Sequence, residues 1–403
     1  MTQKLWLLFA IQTMFAAVLL ILSYSYVDLN LTLSSNPIVL STIKSLQYLA
    51  YYQRPLATFI YTSFLLLWFL FFVFLAYLFY KKQLSLKFLK LSVLSSVIIL
   101  IFAYPYLSSD LFNYMFDAKI IYFYHENPYL FKPLDFPGDD WLRFMRWVHR
   151  YSPYGPLWLL FSLVPTILGF GKFIITLFAF KIFIGSFQLI NTFIVYKIVK
   201  KINSQKALLA ALIYGLNPLF LIEGVANAHN DIVIATCFLA SIYFALNRKT
   251  VSSYVVLTFG IFIKYIPILI APWIVLYNIK PKNNFKKLVY LSFATMVIFT
   301  FVYSSTKITV PFVASGSTQI QFQPWYLFWT LPFLTLIPSV MAFLVLLSVS
   351  FFASLRYYPY LLNGDWSQPG TITYLRNVIL FPIVLALIII LIKYGRKIFK
   401  SKH

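Results

Sequence analysis

The residues able to do chemistry in this chain gather in a few short stretches. One is Tyr106-Leu-Ser-Ser-Asp110-Leu-Phe-Asn-Tyr114, which sets a carboxylate just after an apolar run. An acid at a hydrocarbon boundary is costly to hold and calls for a partner or a task. Helix capping by Ser108, Ser109 or Asp110 is the plainer account, and a cap can also fix a catalytic carboxylate. A second stretch, Asn217-Pro218…Glu223-Gly-Val-Ala-Asn227-Ala-His229-Asn230-Asp231, packs acids, amides and an imidazole between two apolar runs. Capping by Asp231 would leave His229 and Glu223 unexplained. His229 and Asp231 are too few and too close in sequence to make a metal ligand set.

Lys264 stands in Gly260-Ile-Phe-Ile-Lys264-Tyr-Ile-Pro267 with apolar flanks, where an ammonium either snorkels or faces a water-filled, anion-holding cavity. Trp141-Leu-Arg143-Phe-Met-Arg146-Trp147-Val-His149-Arg150 carries three arginines at helical spacing, expected on one face. Such a face grips phosphate bidentately or rests on lipid head groups. Glu126-Asn127-Pro128-Tyr129 and Tyr151-Ser152-Pro153-Tyr154-Gly155-Pro156 read locally as turns. Gln323-Pro324-Trp325-Tyr326-Leu-Phe-Trp329 offers interfacial belt aromatics or a sugar-stacking platform.

The elements that hold these residues are membrane helices. Of 403 residues 61% are hydrophobic and 11% charged, with a mean hydropathy of +0.82. That excludes a soluble globular enzyme, where about a quarter of residues are charged, and excludes disorder. The single cysteine, Cys237, cannot close an internal disulfide. Apolar runs at 6–25, 57–80, 88–107, 172–199, 206–222, 230–247, 286–304, 338–356 and 375–394 predict spans. Two more meet within 251–279 near Lys264 and Pro267, and another starts at Trp325, giving about a dozen. The first run follows a single Lys4 without a small-residue cleavage site and reads as a retained helix.

The net charge of +23 does not point to nucleic acid, because its basic residues cluster in separate loops at 81–90, 197–206, 248–249, 280–287 and 393–402. No acid lies among them, so the positive-inside rule makes these loops and both termini cytoplasmic. All ten acids, Asp28 to Asp365, then fall on or near the outer side. Parity makes 108–171 one long outer loop with juxtamembrane helices. No repeat or soluble domain is visible, so residues 1–403 read as one membrane domain.

Taken in order, the motifs resemble a known family. Ser109-Asp110…Tyr114…Asp117-Ala118-Lys119…Asn127-Pro128-Tyr129, Tyr154-Gly155-Pro156-Leu157, Asn217-Pro218-Leu219…Glu223…His229-Asn230-Asp231, Lys264-x-x-Pro267 and Gln323-Pro324-Trp325-Tyr326-x-x-Trp329 are similar to the GT-C superfamily. Within it they look most like the polyprenol-phosphate-mannose-dependent mannosyltransferases of bacteria and archaea. The resemblance covers about 109 to 329. Ala118-Lys119 stands where Gly-Arg or Gly-Lys is frequent, and His125-Glu126 stands where a Gly precedes Asn-Pro-Tyr. Sugar and acceptor identity stay open.

The resemblance implies an all-α, GT-C-like, multi-pass cell-membrane glycosyltransferase with its site on the outer face. It would move a hexose from a polyprenyl-phosphate donor to a glycan or glycolipid acceptor by inverting displacement. Asp110 is the expected base and Asp117 its rival. Lys264, His229, Arg146 and Arg150 are expected on the donor phosphate. Asp117, Asn127, Tyr129, Tyr154, Glu223, Asn230, Asp231, Trp325 and Tyr326 are expected to bind substrate. No cofactor or metal is called for, because cations meet the phosphate directly. The competing classes are a transporter or flippase for a lipid-linked sugar, which usually shows two similar halves, and a non-catalytic scaffold, which has no use for Lys264 in a span.

Overall fold

The structure, a computed structural model, describes residues 3–27, 36–279, 284–305 and 322–400. Asp28, Lys280, Lys282 and Lys402 lie outside the described residues. Helix α1 (Gln3–Ser23) is followed by α2 (Pro37–Tyr52). At the start of α2, Asn36 accepts from the Ile38 amide at 2.9 Å and Pro37 has no amide to leave unsatisfied. Then come α3 (Arg54–Tyr80), α4 (Leu86–Ile101), capped by Ser85, and α5 (Asp110–Tyr122). The middle of the chain forms α6 (Pro156–Leu168), α7 (Phe173–Ile202), α8 (Ala207–Gly215), the single turn α9 (Pro218–Phe220) and α10 (Asp231–Leu246). After them stand α11 (Thr250–Ile263), α12 (Ala271–Ile279), α13 (Phe285–Ser305), α14 (Leu331–Thr335), α15 (Val340–Ser354), α16 (Tyr358–Asn363) and α17 (Thr371–Lys400). No strand occurs among the described residues.

The count of about a dozen spans expected from the sequence is not confirmed by the helices of the described residues. Among the described residues five stretches are long and apolar enough to cross a bilayer: Gln3–Tyr26, Arg54–Tyr80, Phe173–Ile202, Phe285–Val302 and Val340–Asn363. A sixth arises if Ser204–Gly215 and Pro218–Ala226, bent by 48°, count as one span. Apolar composition measures how much chain avoids water, not how straight it runs. Pro267 and Lys264 divide 251–279 into helices of 14 and 9 residues, and the stretch opening at Trp325 holds only a 3-10 turn and the five-residue α14. Similarly, α4 stops at Ile101, four residues before Pro105.

Helix α7 is the hub, packing on α4, α6, α8 and α10. Where α8 ends, its carbonyls lose their helical partners and must be satisfied inside the protein. Gln188 of α7 does so, donating to the carbonyls of Tyr214 at 3.2 Å and Gly215 at 3.1 Å. Asn191 one turn on donates to the Tyr214 hydroxyl and the Ile232 carbonyl. The helices approach closely there, since a Cβ on Gly215 would stand 2.9 Å from the side chains of Thr192 and Val93.

Candidate active site

Three irregular segments meet at one end of the helices. The first follows α4, where Pro105 cannot continue a helix. Its backbone is pinned by amides: Tyr104 donates to the Ser23 hydroxyl and Tyr106 to the Asn227 side-chain oxygen at 3.1 Å. Asp110 then opens α5, a position where the helix N-terminus favours a negative charge. Its side chain is 19% exposed and accepts from the Trp147 indole. Burial raises its pKa, while the nearby His229 and Lys264 pull it back down.

The second segment is the break between α8 and α10. Asn217 caps α9 and donates to Ser350, after which Leu221–Ala226 widens into a π-helical turn. Such turns are rare and concentrate at functional sites. Lys181, fully buried in α7, donates to the carbonyls of Val225 and Ala226 where the turn unwinds. Ala228 takes a left-handed φ of 55°, and the next amide, that of His229, returns to the Glu223 carbonyl at 3.0 Å. This reversal delivers Glu223, His229 and Asp231 to a common centre.

There His229 Nδ1 lies 3.6 Å from Asp110 Oδ2, and His229 Nε2 lies 3.4 Å from Glu223 Oε2. Glu223 is fully buried and accepts from Tyr357 at 3.0 Å and from Asn227 at 2.9 Å. Asp231 Oδ1 accepts from Lys264 at 2.8 Å and from the Trp329 indole at 2.6 Å. Asp231 starts α10, but its side chain serves this pair and no cap bond. The third segment, 323–330, supplies Trp325, stacked on the His229 ring at 3.8 Å, and Tyr326, stacked on Trp329 at 4.3 Å.

The other sequence candidates lie around this centre. Asp117, seven residues beyond Asp110 on α5, is 3% exposed, and burial pushes its carboxyl up to about 7, with the neighbouring Ser152 hydroxyl only partly opposing the rise. Asn230 is buried, its amide N–H donates to Tyr114, and no partner meets its side-chain amide. Tyr154 packs edge-on against Tyr114, and its carbonyl accepts from Tyr129 at 2.7 Å. Asn127 holds a turn by accepting from the Tyr129 amide. Arg146 donates to the Tyr360 hydroxyl at 2.6 Å, and Arg150 sits over the Trp147 ring.

The arginines do not share a helical face as their spacing predicted. Asp139 caps one 3-10 turn, Asp140–Phe144, and the chain then runs through turns, its Val148 carbonyl accepting from the Leu134 amide. Arg143 and Arg146 instead line a cavity of about 220 Å3 beside Ser108 and Ser109, walled by Tyr26, Tyr51 and Tyr360. Sequence reading had not marked Tyr357, Trp147, Asn227 or Lys181 as parts of the site. Asn227 and Trp147 stand inside stretches the sequence singles out; Tyr357 and Lys181 come from chain far away, with no local signal. Among the described residues no group of three His, Cys, Asp or Glu side chains is arranged to hold a metal ion.

Apolar helices of bilayer length around buried acids and an imidazole make this an integral membrane protein with a polar site. Residues 12–280 match the MptA_B family, described as alpha-(1->6)-mannopyranosyltransferase, N-terminal domain, and the chain belongs to that family. It is a glycosyltransferase of the mannosyltransferase kind. No curated protein and no solved structure matches it.

Proposed function

We propose that this protein transfers mannose from a polyprenyl-phosphate donor to a glycan or lipid-linked acceptor on the outer side of the membrane, with inversion. Asp110 is the base. The observation that carries this reading is the placement of Asp110 at the start of α5, partly exposed, 3.6 Å from His229 and within the field of Lys264. An acceptor hydroxyl gives its proton to Asp110 as its oxygen bonds to the anomeric carbon. The bond from that carbon to the phosphate oxygen breaks, and the electron pair leaves with the polyprenyl phosphate. A positioned base contributes about a hundred- to ten-thousandfold. Asp117 is the poorer base by access, being 3% exposed.

The departing phosphate needs fixed positive charge where water is scarce. Arg143 and Arg146, in the cavity beside Ser109, are placed for it, and Lys264 adds its field from the Asp231 pair. Trp325, Tyr326, Asn230 and Asp231 shape the sugar pocket. The basic loops and both termini face the cytoplasm.

The test is transfer of labelled mannose from polyprenyl-phosphate mannose in membranes carrying the protein. The native chain should form a labelled glycan or glycolipid, and Asp110→Asn should lose at least a hundredfold in rate with normal membrane yield. Near-native transfer by that variant would refute Asp110 as base. Movement of intact donor across vesicles without transfer would favour a flippase.

A further inference from the structure

The reading of Asp110 as base leaves the fully buried Glu223 without a task. Its carboxylate lies within reach of three side chains. Tyr357 donates to Oε1 and Asn227 to Oε2, and His229 Nε2 stands 3.4 Å from Oε2. The same residue also grips His229 through the backbone, its carbonyl accepting the His229 amide at 3.0 Å. Glu223 therefore holds the His229 backbone and sets its carboxylate against the same residue's ring. Trp325 covers a face of that ring at 3.8 Å, and the His229 side chain is shut from solvent. The remaining nitrogen, Nδ1, has one direction to work in, toward Asp110.

We infer that Glu223 is a positioning residue acting through His229, and that His229 relieves Asp110 of the proton taken from the acceptor. The inference rests on Asp110 being the base. In the proposed cycle the ring begins with its hydrogen on Nε2, the nitrogen on the Glu223 side, and its lone pair on Nδ1, the nitrogen on the Asp110 side. After the acceptor oxygen has bonded to the anomeric carbon, the proton on Asp110 passes to Nδ1. The imidazolium then lies between two carboxylates, and Glu223 stabilises the charge formed, as a buried acid behind a catalytic imidazole does. Product release and return of the proton to water restore the start.

The charges around the ring are few. On α5 stands Asp110; on the π-helical turn, Glu223; opposite, the Asp231–Lys264 pair held by Trp329. Behind Glu223 lie Tyr357 and the buried Arg356, which gives its Nε hydrogen to the Phe322 carbonyl. A negative charge beside a coupled pair of proton acceptors makes the pair hold its proton more tightly. Removing the Glu223 charge therefore eases deprotonation of the Asp110–His229 pair.

Glu223→Gln tests this, with the full chain in lipid and polyprenyl-phosphate mannose as donor. The expected result is kcat lowered roughly ten- to a hundredfold, which is part of what a positioned base supplies. KM for the donor should change little, and the acid limb of the pH–activity profile should move to lower pH. An unmoved limb would overturn the inference, because a merely structural role alters amplitude or yield alone. Should Glu223→Gln fail to accumulate, His229→Gln decides: lowered kcat at unchanged KM supports the relay, and raised KM at unchanged kcat makes His229 a donor-binding group and overturns it. Full activity of Asp110→Asn would sink the underlying reading instead, so the two failures are distinct.

Discussion

Replacing Lys264 by Met strands a buried acid. Asp231 is 1% exposed and Lys264 21%, with Nζ and Oδ1 at 2.8 Å. At an effective dielectric of about 20 their attraction is about 6 kcal/mol before desolvation is counted. Breaking a buried pair by removing one partner costs about 3–5 kcal/mol, and the partial exposure of Lys264 argues for the lower end, about 3 kcal/mol. The reverse change, Asp231→Asn, should cost less, about 1–2 kcal/mol. Its amide oxygen still accepts from Trp329, and the ammonium left behind reaches water. The double variant buries no unpaired charge and should cost about 1–2 kcal/mol, well under the sum of the singles. The coupling, about 3 kcal/mol, is read from a double-mutant cycle of unfolding in mixed micelles followed by tryptophan fluorescence. Additive losses would refute the pairing argument. So would a Lys264→Met variant of native stability whose only defect is a raised KM for the donor.

Asp117 should make stability depend on pH. Its native carboxyl is raised to about 7, whereas an unfolded Asp releases its proton near 4, so the native state binds the extra proton between about pH 4 and 7. Stability should fall as pH rises through that window, and Asp117→Asn should flatten the fall, as seen in melting curves at stepped pH. Gly155→Ala should disrupt the fold near the site, because the added Cβ would stand 2.1 Å from the Phe262 carbonyl oxygen. That is backbone and cannot swing away, so membrane yield or thermal stability should drop sharply. A native-like Ala variant would contradict the contact.

What could be read from the sequence was what stands out by type. Asp110 after an apolar run, and the acids, amides and imidazole from Glu223 to Asp231, are conspicuous in a chain with so few charges. The structure brings both stretches together with Lys264, Trp325 and Tyr326. Long helices such as α1, α3 and α7 were legible for the same reason, as unbroken apolar length. Helix α2 is not marked by the sequence because Ser41, Thr42, Lys44, Ser45 and Gln47 dilute its apolar signal. The fate of each side chain was not legible. Pairing of Lys264 with Asp231, the bond from Tyr357 to Glu223 and the Trp147 indole on Asp110 join residues 33, 134 and 37 positions apart, and only the packed helices set those distances. Glycine 155 looked like turn chemistry, whereas its smallness serves a close approach to α11.

Lys181 alters how defects in this protein should be sorted. A lysine within a membrane helix, nine residues into the 30 of α7, invites the guess that it touches a substrate or lines a path. Here its amine donates to two peptide carbonyls, holding open the kink from which the candidate site hangs. Loss of this amine would misplace His229 and Asp231 together without touching either, so an inactive enzyme with every polar reactant intact can have its lesion one helix away.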